Sequence, residues 1–250
     1  MEAKNLTTLS ALLFDLCGTL VEASSSVLDT KKGYYGIQVR AIHRSLRKNG
    51  VIVDWPSFWK YYELIRAEQQ TRSRQTLREY DMCKRVSDTF RCLGIDISPS
   101  SELIKQAVNA YIVPYVNSLK INDYTRDLLK SLFVRYNLGL VTNFAYPPGA
   151  YAVLDKFRLR PFFKAVVISG ELGWKKPSPK IFEEALSKLA VNSFQAAYIG
   201  DDIEVDTLGA KAVGLRTILI SKKETKNSEA DATIRDLRQL PSAIKQLENM

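Results

Sequence analysis

Short apolar runs punctuate the chain at Ala11–Asp15, Leu138–Thr142, Ala165–Ser169, Ala196–Ile199 and Thr217–Ile220. Each is too short for a helix and nearly continuous in apolar character, which suits a strand buried on both faces. From the second run onward a helix-length stretch precedes each strand: Asp123–Tyr136, the stretch opened by Pro147 and Pro148, Pro179–Ala190, and about Val205–Val213. Strands separated in this way pair in parallel, because the connection must return across the sheet to its starting edge. A polar loop follows at Lys222–Ala230, and Asp236–Leu247 reads as a final helix.

Between the first run and the second the pattern changes. Amphipathic helix-length stretches cover Lys32–Lys48, Trp55–Gln70, Gln75–Cys92 and about Ser100–Asn117. Asp54 stands before the second of these and Pro56 in its first turn, a helix-start signal. Pro114 is placed to kink the fourth. No strand pattern lies between Leu28 and Leu119. The expected organisation is therefore an α/β parallel-sheet domain of residues 1–22 and 121–250, interrupted by a helical domain of residues 23–120.

In open parallel sheets, ligands bind beyond the carboxyl ends of the strands, so the residues just past each strand matter most. The first strand delivers Asp15, Cys17, Gly18 and Thr19, and the second delivers Thr142 and Asn143. The loop after the third carries Lys175 and Lys176, and the fourth ends in G-D-D-I-E-V-D, with Asp201, Asp202, Glu204 and Asp206. Three or more carboxylates at one sheet edge repel unless a cation neutralises them. Hard oxygen donors without a His or Cys cluster indicate Mg²⁺ rather than zinc. A lysine and a small hydroxyl nearby suit the oxygens of a phosphoryl group. Asp15 is then placed to attack phosphorus, forming an aspartyl phosphate that water hydrolyses.

Four stretches in order, F-D-L-C-G-T-L, V-T-N, G-E-L-G-W-K-K-P-S-P-K-I-F and I-G-D-D-I-E-V-D-T-L-G-A-K-A-V-G, resemble the motifs of the haloacid dehalogenase (HAD) superfamily. The late A-D-A-T-I-R-D-L-R-Q-L-P is also similar to the usual carboxyl end. The resemblance implies a Rossmann-like three-layer α/β/α core with a parallel sheet, plus a smaller all-α cap inserted after the first motif. Position by position it implies Asp15 as nucleophile, Lys176 as the third-motif lysine and Thr142 as the phosphate-binding hydroxyl. Gly18, Thr19 and Asn143 join Thr142 as candidate substrate-binding residues. The implied metal set is Asp15, the backbone carbonyl of Cys17, Asp201 and Asp206, around Mg²⁺. Asp202 stands where relatives often carry a small residue, and its role is open.

Cys17 is the departure. In phosphatases of that family its position is an aspartate that protonates the leaving oxygen and then activates water, while the metal contact comes from the backbone. A cysteine there preserves the cation but weakens acid–base help, since a thiol ionises near pKa 8.5 against about 3.9 for aspartate. The resulting expectation is a Mg²⁺-dependent phosphohydrolase acting on a small phosphorylated metabolite, most restricted with poor leaving groups. Two alternatives stand beside it. One is a phosphonate- or haloacid-cleaving relative; the phosphonate reading needs a Schiff-base lysine, and Lys31 or Lys32 is where it would be sought. The other is a slow, phosphate-binding regulatory protein.

Charge and cysteine usage bound the partners. Of the formal net charge of +9, most falls between Lys31 and Arg91, where Lys and Arg outnumber Asp and Glu by 14 to 6. That excess suits attraction of an anion, with nucleic acid as a lesser alternative to a small phosphate; it also suits solvated helix faces. Trp55, Trp59 and Tyr62 fall at helical spacing and read as packing within the helical domain. His43, without a partner at metal-site spacing, reads as a surface or packing residue. Three cysteines, Cys17, Cys83 and Cys92, make a disulfide framework improbable and point to a reducing, cytoplasmic setting. No window approaches the roughly 18 apolar residues of a membrane span, and the start has no signal-peptide layout. Phe144 and Tyr146, past the second strand, are candidates for substrate selection.

Overall fold

The computed structural model describes residues 9–23, 34–223 and 229–250. These divide into two compact units, one within Met1–Glu22, Ile121–Asn143 and Leu154–Met250, the other within Ala23–Lys120 and Phe144–Val153.

The first unit is built on six parallel strands: β1 (Ala11–Phe14), β4 (Asn137–Thr142), β5 (Ala165–Ile168), β6 (Ala196–Gly200), β7 (Arg216–Ile220) and β8 (Ala232–Ile234), in the order β5-β4-β1-β6-β7-β8. The α/β parallel-sheet expectation holds. β8 extends the sheet by a strand that the sequence pattern did not reveal, because only three residues pair and they interrupt no apolar run. β1 lies in the middle of the sheet and all four of its side chains are buried, which explains its unbroken apolar character. Phe14 pairs with Leu140 on one side and Ile199 on the other, so Asp15 follows directly at the carboxyl edge. Ala11 and Leu13 face a cluster with Val141, Val167, Tyr198 and the helix Pro179–Leu189, which contributes Ile181, Phe182 and Ala185. Two short strands, β2 (Val21–Ala23) and β3 (Leu119–Ile121), pair with each other where the chain leaves and re-enters this unit. The closing helix is shorter than expected, Leu240–Glu248, because Asp236 first caps a 3₁₀ turn at Leu237–Gln239.

The second unit is helical: α1 (Tyr34–Lys48), α2 (Trp55–Thr76), α3 (Met82–Arg91) and α4 (Glu102–Ser118). Asp54 caps α2 by accepting from Ser57 N at 2.9 Å, and Ser101 caps α4 through Ile104 N. The boundary between α2 and α3 differs from expectation. α2 runs six residues past Gln70, and Leu77 closes it in a left-handed conformation onto Ser73 O. Asp81, accepting from Cys83 N and Lys84 N, then starts α3 at Met82 rather than Gln75. Pro114 is accommodated within α4. The core is aromatic: Phe58 lies 5.5 Å from Phe90, 5.8 Å from Tyr62 and 5.3 Å from His43. His43 is a packing residue, buried with Nε2 2.8 Å from Val53 O. Phe58 and Tyr62 are the buried stripe of α2, while Trp55 and Trp59 lie half-buried at its margin. Arg40 stacks over Trp55 at 4.3 Å, and Arg44, Arg47 and Lys48 are exposed farther along α1. In the same unit, Phe144 and Tyr146 are buried and the Tyr146 hydroxyl donates to Asn109 Oδ1 at 2.9 Å. Among the described residues no helix is long and apolar enough to cross a membrane.

Candidate active site

The carboxyl edge of the sheet gathers the expected residues of the first unit. β1 ends in a tight turn, closed by Leu20 N and Val21 N donating to Leu16 O, both at 2.9 Å. Gly18 sits in this turn at φ +98, and a Cβ there would come within 2.3 Å of Asp201 Oδ2. Only glycine therefore permits both the turn and the approach of Asp201. Thr19 completes the junction, its hydroxyl donating to Asp201 Oδ1 at 3.2 Å. Cys17 is half-buried in the same turn and forms no disulfide.

Asp201 and Asp206 come from the loop after β6. The helix expected over Val205–Val213 begins earlier, as a π-helical turn at Ile203–Leu208 continued by Gly209–Lys211. Asp202 opens this turn by accepting from Val205 N at 2.8 Å, so its side chain is a cap. The turn aims Asp206 back at the strand end, where Oδ2 accepts from Asp201 N and Asp202 N at 3.1 Å each. Gly200 makes this contact feasible, since a Cβ there would lie 2.4 Å from Asp206 Oδ2.

Lys176 ties the site together. Its Nζ donates to Asp15 Oδ1 and Asp206 Oδ1 at 2.6 Å each and to the Tyr198 hydroxyl at 2.8 Å. The Tyr198 hydroxyl also lies 3.0 Å from Asp206 Oδ1 and 3.2 Å from Val141 O. Asn143 grips the lysine backbone, accepting from Lys176 N at 2.8 Å and donating to Lys176 O at 3.1 Å. Asn143, expected among the substrate-binding residues, thus also engages the backbone of Lys176 with both halves of its amide. Thr142 is buried at the end of β4 beside it. Lys175 and Glu204 make no hydrogen bond or ion pair in this cluster among the described residues, and Lys31 and Lys32 lie outside them. Tyr198 was not anticipated. The available signal was a single hydroxyl-bearing side chain in the otherwise apolar run A-A-Y-I-G, on the strand that carries Asp201.

The electrostatics follow from three carboxylates sharing one ammonium. Burial pushes the Asp15 carboxyl up; Lys176 pulls it down but Asp206 and Asp201 push it up again, leaving it at about 7. Withdrawal from water and the Asp206 charge likewise push Asp201 up to about 6. Burial lowers Lys176, but Asp15 and Asp206 outweigh it and hold the ammonium at about 12. Burial and the same carboxylates raise Tyr198 well above the usual phenol range, so it keeps its proton. Asp15, Asp201 and Asp206 each offer an oxygen within 4.8 Å of the others. A hard divalent cation fits this all-carboxylate set, with its surplus negative charge and the raised proton affinities of Asp15 and Asp201. The lone pairs of Asp206 are largely engaged by Lys176, Tyr198 and two backbone N–H groups, so Asp15 and Asp201 are the more open donors.

Comparison with known proteins is consistent with this edge. A family model described as haloacid dehalogenase-like hydrolase matches residues 12–220. A glyceraldehyde 3-phosphate phosphatase of Methanopyrus kandleri is 28% identical over 222 residues, covering 88% of each chain. A 2-haloacid dehalogenase from Pseudomonas syringae pv. tomato shares the fold at a TM-score of 0.69 and 20% identity, covering 96% of this chain and 99% of that one. A HAD phosphatase from Thermococcus onnurineus does so at a TM-score of 0.61 and 23% identity, covering 94% and 97%.

Proposed function

The chain belongs to the haloacid dehalogenase-like hydrolase family, and from that premise we propose that it is a Mg²⁺-dependent phosphatase of a small phosphorylated metabolite, working through a phosphorylated Asp15. The observation that carries this reading is the surplus of carboxylate at the strand ends: Asp15, Asp201 and Asp206 around the single ammonium of Lys176. Such a set has a use for a divalent cation, whereas a metal-free haloacid route gains nothing from Asp201. The named activity of the Methanopyrus relative points the same way and makes triose-sized phosphates the first substrates to try. The sheet unit, which contains every residue of this site, is assigned the catalysis, and the helical unit is the inserted cap.

Asp15, Asp201, Asp206 and the Cys17 carbonyl would hold the ion, with Asp206 braced from behind by Lys176. When bound, Mg²⁺ supplies charge neutralisation and orientation for the phosphoryl oxygens. Lys176 keeps Asp15 aimed and favours its ionised form against the opposing push of burial and the neighbouring carboxylates. The free Asp15 oxygen attacks phosphorus; its bond to phosphorus forms as the bond to the leaving oxygen breaks. The Thr142 hydroxyl and the Gly18–Thr19 turn are assigned to the phosphoryl oxygens. Water then attacks the phosphorus of the aspartyl phosphate, releasing inorganic phosphate and restoring Asp15. Cys17 occupies the place from which a proton would reach the leaving oxygen, and as a weak acid it favours leaving groups that need little protonation.

The test is a substrate panel with and without Mg²⁺: triose phosphates, aryl, alkyl and acyl phosphates, phosphonoacetaldehyde and a 2-haloacid. Expected are phosphate release that requires Mg²⁺ and its abolition in Asp15→Asn. Dehalogenation without a divalent cation, or turnover that survives Asp15→Asn, refutes the reading.

A further inference from the structure

Lys176 is held from both ends by groups on the two strands that flank β1. An ammonium has three N–H donors, and here each has its own acceptor: Asp15 Oδ1, Asp206 Oδ1 and the Tyr198 hydroxyl. Tyr198 is nearly inaccessible, and its ring is wedged edge-on against Phe182 at 5.2 Å. Its oxygen is therefore a fixed point rather than a mobile partner. The hydroxyl proton turns to Asp206 Oδ1 or Val141 O, leaving the oxygen to accept from Lys176. At the other end, Asn143 matches the backbone N–H and C=O of Lys176 with both halves of one amide. A lysine carries four rotatable side-chain bonds, and two such anchors are what a single well-defined ammonium position requires.

We propose that Tyr198 and Asn143 are positioning residues that fix the Lys176 ammonium against Asp15, Tyr198 as the third leg of a tripod and Asn143 as the clamp on its base. The inference rests on the phosphatase reading for its kinetic consequence, but the tripod itself stands on the hydrogen bonds. Tyr198→Phe leaves one Lys176 N–H without its acceptor while keeping the ring that fills the core. Asn143→Ala frees the backbone from which the side chain is aimed. Neither residue touches substrate in this account, so both act on turnover through Lys176.

Two measurements test it. The first is a double-mutant cycle in the full chain, using the phosphomonoester turned over fastest by the wild type. Tyr198→Phe, which removes one hydrogen bond to a charged group, and Asn143→Ala, which removes two neutral ones to the backbone, each lower kcat about ten- to a hundredfold, and KM moves less than about twofold. In a Lys176→Met background neither adds a further loss, because the group they position is gone. Independent losses in that background, or unchanged kcat in Tyr198→Phe, overturn the proposal. The second needs no turnover: the ¹H–¹⁵N spectrum of the lysine ammonium groups. One exchange-protected signal is expected, absent in Lys176→Met and lost to exchange in Tyr198→Phe, with thermal unfolding showing that the variants are folded. A signal that persists in Tyr198→Phe overturns the tripod. A wild type that hydrolyses no phosphomonoester refutes the phosphatase reading alone and leaves the spectrum to decide the tripod.

Discussion

The surplus of negative charge at the strand ends sets how stability depends on pH and on Mg²⁺. Native Asp15 holds its proton up to about pH 7, against an ordinary 3.8. Between those values the native state binds more protons than the unfolded state, so without a divalent cation stability falls as pH rises through the window. One such group contributes a slope of about 1.4 kcal/mol per pH unit, so about 4 kcal/mol across the window is the ceiling from Asp15 alone. Asp201, pushed up to about 6 but exposed, adds in the same direction and less, since solvent screens it. Lys176, held at about 12, stays charged throughout and adds no slope. Magnesium replaces the protons on the carboxylates, so its stabilising effect should be small near pH 5, grow through pH 6 to 7 and level off above. The assay is urea unfolding from about pH 5 to pH 8, in chelator and in saturating Mg²⁺, for the wild type and Asp15→Asn. The expected pattern is a falling curve in chelator, a flatter one in Mg²⁺, and a reduced slope in Asp15→Asn. Stability in chelator that is constant or rises with pH, or a slope unchanged in Asp15→Asn, refutes the electrostatic reasoning.

Cys17→Asp should raise turnover of alkyl phosphates more than of aryl phosphates, within the roughly 10² to 10⁴ typical of general acid–base help; equal change for both classes sinks the leaving-group account. Gly18→Ala should cost about 1–2 kcal/mol for the positive φ alone and displace Asp201, seen as a weaker response of the thermal midpoint to Mg²⁺; an unaltered response means that the turn does not set Asp201. Phe58→Ala, at the centre of the aromatic core of the helical unit, should cost about 3–5 kcal/mol in chemical unfolding and leave the lysine ammonium signal in place; loss of that signal would show that the two units do not fold as separable cores.

The order of strands and helices was legible because it rests on local periodicity: buried strands read as apolar runs, and the segment between Leu28 and Leu119 has helical spacing throughout. The identities of Asp15, Lys176, Asp201 and Asp206 were legible as well, since each lies just past a strand and its chemistry depends on residue type. The short pairing of β8 and the start of α3 were not, because a three-residue strand and a cap are decided by partners rather than by pattern.

What only the tertiary structure decided is who holds whom. Lys176 lies 161 residues from Asp15 and 33 from Asn143, and nothing in their spacing says that β4 and β6 flank β1. That strand order turns Asn143 into a clamp, gives Tyr198 a hydroxyl to offer and fills the lone pairs of Asp206. Within the helical unit, tertiary packing likewise buries His43 beside Val53 O. Chemistry-bearing residue types are a property of the chain, but a hydrogen bond needs two groups within about 3 Å, and the packing of distant strands and helices alone supplies that distance.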